Sequence, residues 1–397
     1  MPEAYIIDAA RTPVGRRRGA LAAAHPVDLA AHVIGALVER NGVDPASVDD
    51  VILGCLDNIG PQAGDIARTA ALAAGLPETV PGVTIDRQCG SSQQAVHFAA
   101  QAVMSGTADL IVAGGVQNMS QIPLMSSVTA GEAFGVRDPY SGSTRWRARY
   151  GDETISQFRG AEMIAEKWGI DREAMEQYAL ESHRRALQAI AGGRFAAEIL
   201  PYQQMTTDEG PRADTTPEKM AALPSLTPGG RLSAAVASQI SDGASGMLIA
   251  SAEAVRRHDL APRARIHHLT VLGADPVMML AAPIPATERA LEGGDGRREP
   301  GDPRHRLRAG PRHRRRQRPR GRVRSGARLR RRPHLRRRKR VFPVVVHQHR
   351  ADARRRRDRA RRRGDRPGAG YRISAARAAA FRHRRRPDRL GGPDPAG

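Results

Sequence analysis

The chain has 397 residues, enough for two or three domains and a large hydrophobic core. Two cysteines exclude a disulfide framework and a Cys-x-x-Cys metal site, which favours a reducing, cytoplasmic environment. The net charge of +23 combines two unlike segments: residues 291–397 hold 38 Arg and one Lys against nine acidic residues, which leaves 25 basic and 32 acidic residues in 1–290. No cleavable signal pattern and no apolar run of about 18 residues occurs, so we expect no membrane span.

The first 120 residues alternate short apolar runs with amphipathic segments. Such alternation predicts a parallel sheet covered on both faces by helices, with functional residues at the carboxyl ends of the strands. The predicted strands cover 4–9, 49–59, 83–85 and 109–120, and the predicted helices cover 27–40, 64–75 and a segment capped by Ser91 or Ser92 that ends at Gly106.

The pattern changes after residue 120. Helical periodicity dominates 156–190, with Asp171 as a helix cap and Gly192-Gly193 after the helix end, and a polar, loop-like stretch follows. From 236 the alternation returns, with a helix-and-strand segment, a strand at 263–273 and a helix that begins near 283. The middle segment is therefore predicted to be an insertion over the sheet.

Cys89 is the first candidate for chemistry. It lies between a short β-branched run and an amphipathic helix, where the unpaired N–H groups and the dipole of a helix start favour an anion. Position alone leaves two interpretations open, a nucleophile or a small buried core residue. Cys55, inside a predicted strand, is expected to be part of the core.

Several motifs in residues 1–292 resemble the thiolase family of acyl-CoA:acetyl-CoA C-acyltransferases. They are DAARTPVG at 8–15, RQCGSSQQAVHFAAQAVMSG at 87–106, AGGVQNMS at 113–120, DGASGMLIAS at 242–251 and DPVMMLAAPIPATERALE at 275–292. Each motif alone is weak, but five in the family's order are a specific signal. The resemblance selects the nucleophile interpretation for Cys89.

The resemblance implies an α/β fold of five layers, α/β/α/β/α, built from two similar halves. The first half would comprise 1–120 and 236–263, the coenzyme A-binding loop domain 121–235, and the start of an incomplete second half 264–292. The implied reaction is thiolytic cleavage of a 3-ketoacyl-CoA, or its reverse Claisen condensation, through an acyl-Cys89 thioester. Acyl-CoA and coenzyme A would then be substrates. We expect no permanently bound cofactor, and we expect the protein to form a homo-oligomer.

Other roles follow from the same resemblance, position by position. Ser238 is expected to hydrogen-bond the pantetheine arm of coenzyme A; the alternative is that it only caps a helix. Arg212 is expected to lie near the nucleotide phosphates of coenzyme A; the alternative is that it is a solvated loop residue. Where many biosynthetic members have a His-Met-Gly turn, this chain has Phe158-Arg159-Gly160. This difference favours bulky acyl chains, such as steroid side chains, over acetoacetyl-CoA.

The groups that complete catalysis in the family are missing from the sequence. No Gly-His-Pro turn, no Asn-Glu-Ala-Phe motif and no cysteine after Cys89 occurs. His97 lies eight residues further along the same helix, about 12 Å from Cys89 at 1.5 Å per residue, beyond hydrogen-bond reach. His183, His267 and His268 have no motif to support them as bases. We therefore expect impaired turnover.

Residues 293–397 carry a different signature. Their charge and lack of apolar periodicity predict disorder, and their arginines would bind nucleic acid through phosphate without sequence choice. A basic nucleic-acid-binding protein is therefore the alternative function. The strong excess of Arg over Lys instead indicates GC-rich DNA read out of frame after codon 292 or so. Translating the gene in all three frames tests the frameshift interpretation. If neither alternative frame restores the missing motifs, the interpretation is excluded.

Overall fold

The computed structural model describes residues 2–293, in which one mixed sheet is flanked by helices. The strands are β1 (Ala4–Arg11), β2 (Gly15–Arg16), β3 (Asp50–Gly54), β4 (Gly82–Ile85), β5 (Leu110–Asn118), β6 (Ser241–Ser251) and β7 (Ala264–Arg265). The helices are α1 (Pro26–Arg40), α2 (Ile66–Ala73), α3 (Ser91–Ser105), α4 (Ser126–Thr129), α5 (Thr144–Tyr150), α6 (Gln157–Trp168), α7 (Arg172–Ala191), α8 (Pro217–Ala221), α9 (Ala252–Arg257) and α10 (Pro283–Gly293).

The strand order corrects the prediction of a parallel sheet. The order is β4-β3-β5-β6-β1-β7, with β2 also paired to β6. Only β3, β4 and β5 pair in parallel, whereas β6 is antiparallel to both β5 and β1. The physical reason is the long insertion: it leaves the sheet after Asn118 and returns beside it at Asp242, so β6 runs back along β5. The predicted boundaries of the inserted domain, 121–235, stay a prediction.

Helices cover both faces of the sheet, as predicted. Apolar side chains of α1 and α2 pack on one face, in a cluster that includes Val33, Leu37 and Ile66. On the other face α3 packs through small residues, Ala95, Ala99 and Ala100, against β3, β5 and β6. Small side chains let α3 approach the sheet closely, which brings its first turn onto the strand ends.

Two local predictions are wrong. The segment 263–273 forms only the two-residue strand β7 before it becomes irregular, because it lies at the end of the sheet order and pairs with just two residues of β1. The residue at the N-terminal cap of α3 is Gly90, without a side-chain cap, rather than Ser91 or Ser92. The predicted cap Asp171 is confirmed, since its side chain accepts a hydrogen bond from the N–H of Ala174.

Among residues 2–293, no helix combines the length and the apolar character needed to cross a membrane. The predicted disorder of the arginine-rich segment and its predicted nucleic-acid binding concern residues that, apart from Gly293, lie outside the described range.

Asp8 ties β1 to two distant segments. It is buried, and its carboxylate is 2.7 Å from Nε of Arg40, 2.9 Å from Nη1 of Arg263 and 3.1 Å from Nδ2 of Asn41. We expect Asp8→Ala to lower the free energy of unfolding by about 2 kcal/mol. A fully buried pair costs about 3–5 kcal/mol when one partner is removed, but both arginines are partly exposed and screened.

Urea unfolding checks the role of Asp8. Asp8→Asn, which keeps the side-chain shape and one carbonyl oxygen, should lose less stability than Asp8→Ala. The exposed Glu39, next to the same helix end, is the matched control, and Glu39→Ala should change the unfolding midpoint little. Equal effects of Asp8→Ala and Glu39→Ala would contradict this assignment.

Candidate active site

A cleft of about 1500 Å³ lies at the carboxyl ends of the three parallel strands. Its lining includes Leu56 and Asp57 after β3, Arg87 to Gly90 after β4, and a turn that begins at Leu124 after β5. Parallel strands deliver their carboxyl ends to one edge, so these three loops meet there. Cys89 lies at this edge, where it is exposed and lines the cleft; its role as a functional residue stays a prediction.

The turn that carries Cys89 is held by its own hydrogen bonds. Gln88 has a φ of 49°, in the left-handed region, which reverses the chain between β4 and α3. The hydroxyl of the buried Ser91 accepts from the N–H of Arg87 at 2.8 Å and donates to the carbonyl of Gln88 at 2.5 Å. The result is a short, pre-formed turn that presents the thiol to the cleft.

Two glycines allow the start of α3 to rest on the sheet. A Cβ on Gly54, the last residue of β3, would lie 2.4 Å from the backbone C of Ser91 and 2.4 Å from the N of Ser92. A Cβ on Gly115 in β5 would lie 1.9 Å from Oγ of Ser92. Side chains at these positions would push the first turn of α3 outwards, so the position of Cys89 depends on both glycines.

Helix α3 begins with donors turned towards this edge. Within residues 2–293, the N–H groups of Ser92 and Gln93 meet no backbone acceptor, as is usual in a first helical turn. Together with the helix dipole they favour a negative charge that develops on an oxygen of a thioester bound next to Cys89.

Cys55 is placed very differently, as the sequence predicted. It is 1% exposed and belongs to the main hydrophobic cluster. Burial raises the pKa of its thiol to about 12, and the charges of Asp57 and Asp86 add to this effect. A thiol that stays protonated and sealed from solvent is a poor nucleophile. Of the two cysteines, only Cys89 is accessible to a substrate.

Asp57 holds another wall of the cleft in place. It is buried, and its φ of 47° turns the chain after β3. One carboxylate oxygen accepts from the N–H of Ser127 at 2.8 Å and from its hydroxyl at 2.6 Å, and the other accepts from the N–H of Met125 at 3.0 Å. Asp57 therefore links the loop after β3 to the turn after β5. No sequence pattern pointed to this role.

One face of α3 presents polar side chains to the cleft. Gln93, Gln94 and His97 line it, spaced as neighbours on one helical face, and the cap residue Gly90 lines it in front of them. Burial, and to a lesser extent the charge of Arg87, lowers the pKa of His97 below its ordinary value, so the ring is neutral near pH 7. His97 shares the cleft with Cys89 but stands two helical turns away from it.

The structure does not bring the other predicted site residues to Cys89. Ser238 and Arg212 are exposed and lie outside the lining of the cleft. The backbone N–H of Arg212 donates to Nδ1 of His183 at 3.2 Å, so that histidine is engaged in the inserted region. The alternative of Ser238 as a helix cap is wrong, because no helix begins there. Their roles towards coenzyme A stay predictions.

Sequence reasoning missed three residues that line the cleft. His268 follows β7 and lines the cleft, although no sequence motif supported a role for it. Tyr140 and Trp146 come from the inserted region, where a single aromatic residue in a polar stretch carries no local signal. Within the described part of the chain, no group of three or more His, Cys, Asp or Glu side chains is placed to hold a metal ion.

Comparison with known proteins adds to this geometry. The sequence model of the N-terminal domain of thiolases matches residues 4–253. A steroid 3-ketoacyl-CoA thiolase from Mycobacterium tuberculosis is 61% identical over 296 residues, which cover 74% of this chain and 72% of that protein. A beta-ketoadipyl-CoA thiolase from Acinetobacter baylyi is 44% identical over 311 residues, covering 74% and 77%.

A solved structure supports the same relationship. The crystal structure of the Bacillus anthracis acetyl-CoA acetyltransferase matches with a TM-score of 0.61 and 36% sequence identity, covering 73% of this chain and 75% of that one. These matches cover about three quarters of the chain, as expected from motifs confined to residues 1–292. Together with the family match over residues 4–253, they show that the chain belongs to the thiolase family.

Proposed function

We propose that this chain transfers acyl groups between thiols by the thiolase reaction, with Cys89 as the acyl acceptor. The observation that carries the proposal is the exposed Cys89 on a pre-formed turn at the start of α3, inside the cleft. The names of the relatives support the chemistry, since they include 3-ketoacyl-CoA thiolases. Coenzyme A takes part as a substrate. A cytoplasmic location stays a prediction from the cysteine content.

The proposed cleavage has two steps. In the first, the Cys89 thiolate adds to the 3-keto carbonyl of a 3-ketoacyl-CoA, and the bond between carbons 2 and 3 breaks. The departing electron pair takes a proton to give acetyl-CoA, and the shortened acyl group stays on Cys89 as a thioester. In the second step, the thiolate of coenzyme A attacks this thioester and releases Cys89. The N–H groups at the start of α3 would stabilise the oxyanion in both steps.

The proposed site lacks the family's motifs for the groups that transfer protons. The reaction needs a base for the thiol and an acid for the departing carbanion, and the family motifs for both are missing from the sequence. His268 lines the cleft and the neutral His97 stands two turns away, but neither is held against Cys89 by a hydrogen bond within residues 2–293. Acylation without rapid turnover is therefore the expected behaviour.

The family relatives also bear on the acyl group. The bulky acyl chain expected from Phe158-Arg159-Gly160 gains support from the 61% identical steroid 3-ketoacyl-CoA thiolase. Phe158 lines the cleft, as that expectation requires. The alternative of a nucleic-acid-binding protein gains no support from these relatives.

Mass spectrometry tests the proposed acceptor. Incubated with acetyl-CoA at pH 8, the full chain should gain one acetyl group on Cys89 as free coenzyme A is released. Cys89→Ser should remove this product, and Cys55→Ala should keep it, because Cys55 is buried. Acetylation of Cys55 in the native protein, or none at Cys89 in a folded sample, would overturn the proposal.

A further inference from the structure

A row of aromatic rings forms part of the wall of the Cys89 cleft. The ring centroids of Tyr140 and Trp146 are 4.6 Å apart, and those of Trp146 and Tyr150 are also 4.6 Å apart. Tyr140 and Trp146 line the cleft, whereas Tyr150 packs against Trp146 and is not part of the lining. The guanidinium of Arg149 lies over the ring of Tyr150, 5.2 Å from its centroid. Two rings thus face the cleft and are supported from behind.

The backbone around these rings is fixed by short-range hydrogen bonds. Oδ1 of Asp138 accepts from the N–H groups of Tyr140 and Ser141, each at 2.7 Å, which holds the turn that carries the first ring. Ser143 caps α5, where its hydroxyl accepts from the N–H of Trp146. These bonds hold the backbone turns that carry the rings, and binding against a wall held in this way loses less conformational entropy.

The cleft as a whole presents more apolar than polar surface, and the charged side chains of Asp138, Arg147, Asp152 and Glu153, from the same segment as the rings, also line it. A volume of about 1500 Å³ is larger than the roughly 300–1,000 Å³ of most small-molecule sites. Aromatic faces gain most from flat, rigid hydrocarbon surfaces, because such surfaces bury area without losing rotamer freedom. A flexible straight chain would pay for its ordering and touch the rings over a narrower strip. The apolar lining residues include Leu124, Met125, Val128, Phe158 and Leu280.

We infer that Tyr140 and Trp146 determine the acyl specificity of the cleft by stacking against an acyl group with a fused-ring hydrocarbon body. The inference rests on the proposed function, since the acyl group is the part of the substrate that Cys89 would carry. It goes beyond that function in naming the residues that select the substrate. Both lie in the insertion between β5 and β6, remote in sequence from Cys89.

The tryptophan content offers a direct readout. The chain has two tryptophans, and Trp168 is exposed, lies outside the lining and has the ammonium of Lys167 4.7 Å from its ring centroid. In a Trp168→Phe variant, Trp146 is the one remaining tryptophan. Titration with decahydronaphthylacetyl-CoA, a saturated fused-ring thioester, should change its emission more than titration with dodecanoyl-CoA, which has the same number of acyl carbons.

Calorimetric titration of the ring variants completes the test. Trp146→Ala should weaken binding of decahydronaphthylacetyl-CoA roughly tenfold and that of dodecanoyl-CoA by less than about threefold. Trp146→Phe, which keeps an aromatic face and guards against misfolding, should retain most of the preference. Tyr178→Ala is the control, because Tyr178 is 80% exposed and outside the lining.

Equal loss of both ligands in Trp146→Ala, or no response of Trp146 emission to either ligand, would overturn the inference. The same titrations in Cys89→Ser separate it from the proposed function. Selective ring binding without acylation of Cys89 in the parent chain would leave the inference standing and reject the nucleophile. Acylation without ring preference would do the reverse.

Discussion

Replacement of Gly54 by alanine is expected to destabilise the protein by about 3 kcal/mol, at the upper end of the usual cost of overpacking. The added Cβ would lie 2.4 Å from backbone atoms of both Ser91 and Ser92, and backbone cannot rotate away as a long side chain can. The first turn of α3 must then move off the end of β3. We expect the Cys89 turn to shift with it, so that acylation of Cys89 slows even in the folded fraction.

Urea unfolding and the rate of Cys89 acetylation measure these two effects. Gly35→Ala is the matched control: Gly35 lies inside α1, and its nearest atom to a new Cβ is a carbonyl oxygen at 3.8 Å. Alanine in a helix interior should stabilise by about 0.5–1 kcal/mol relative to glycine. If Gly54→Ala unfolds at the same urea concentration as the parent chain, the close approach of α3 to β3 is not a constraint.

Alkylation should distinguish the two thiols by several orders of magnitude. At pH 8 a thiol with a pKa of about 12 is ionised in only about one molecule in ten thousand, and Cys55 is also sealed from reagent. Iodoacetamide should therefore modify the exposed Cys89 first, and Cys55 only when the protein unfolds. Peptide mass spectrometry after timed quenching follows both sites, and urea added in steps should make Cys55 reactive at the unfolding transition.

The raised pKa of Cys55 also has a consequence for stability. An unfolded thiol has a pKa near 8.5, whereas the folded one holds its proton up to about pH 12. The unfolded state therefore loses a proton first, and stability should fall as pH rises through this window. Cys55→Ala should weaken that alkaline dependence. Rapid alkylation of Cys55 at pH 8 in native protein would contradict the buried, protonated state of its thiol.

Local sequence pattern determined which segments form regular structure around the thiol. Apolar periodicity over 95–103 and the glycine at 106 predicted α3, whose observed bounds are Ser91–Ser105. Helix 27–40 and the strands at 4–9 and 49–59 were predictable for the same reason, since side chains spaced at 3.6 or 2 residues share one buried face. The second of these strands is shorter than predicted, Asp50–Gly54, and the two-residue strand β2 was not predicted. The buried position of Cys55 was predictable from its strand, whereas local sequence left Cys89 open as a core residue until the resemblance to thiolases favoured a nucleophile.

Tertiary structure alone decided how distant segments meet. Four features join residues that are separated by tens of positions in the sequence. They are the reversed direction of β6, the contact of Gly54 with Ser92, the bonds from Asp57 to Ser127, and the place of Trp146 in the wall of the Cys89 cleft. No window of sequence encodes such contacts, because they depend on where a long insertion returns to the sheet and on which backbones can touch. The sequence thus identified the thiol and its helix, whereas the packed chain decided the shape of the cleft around them.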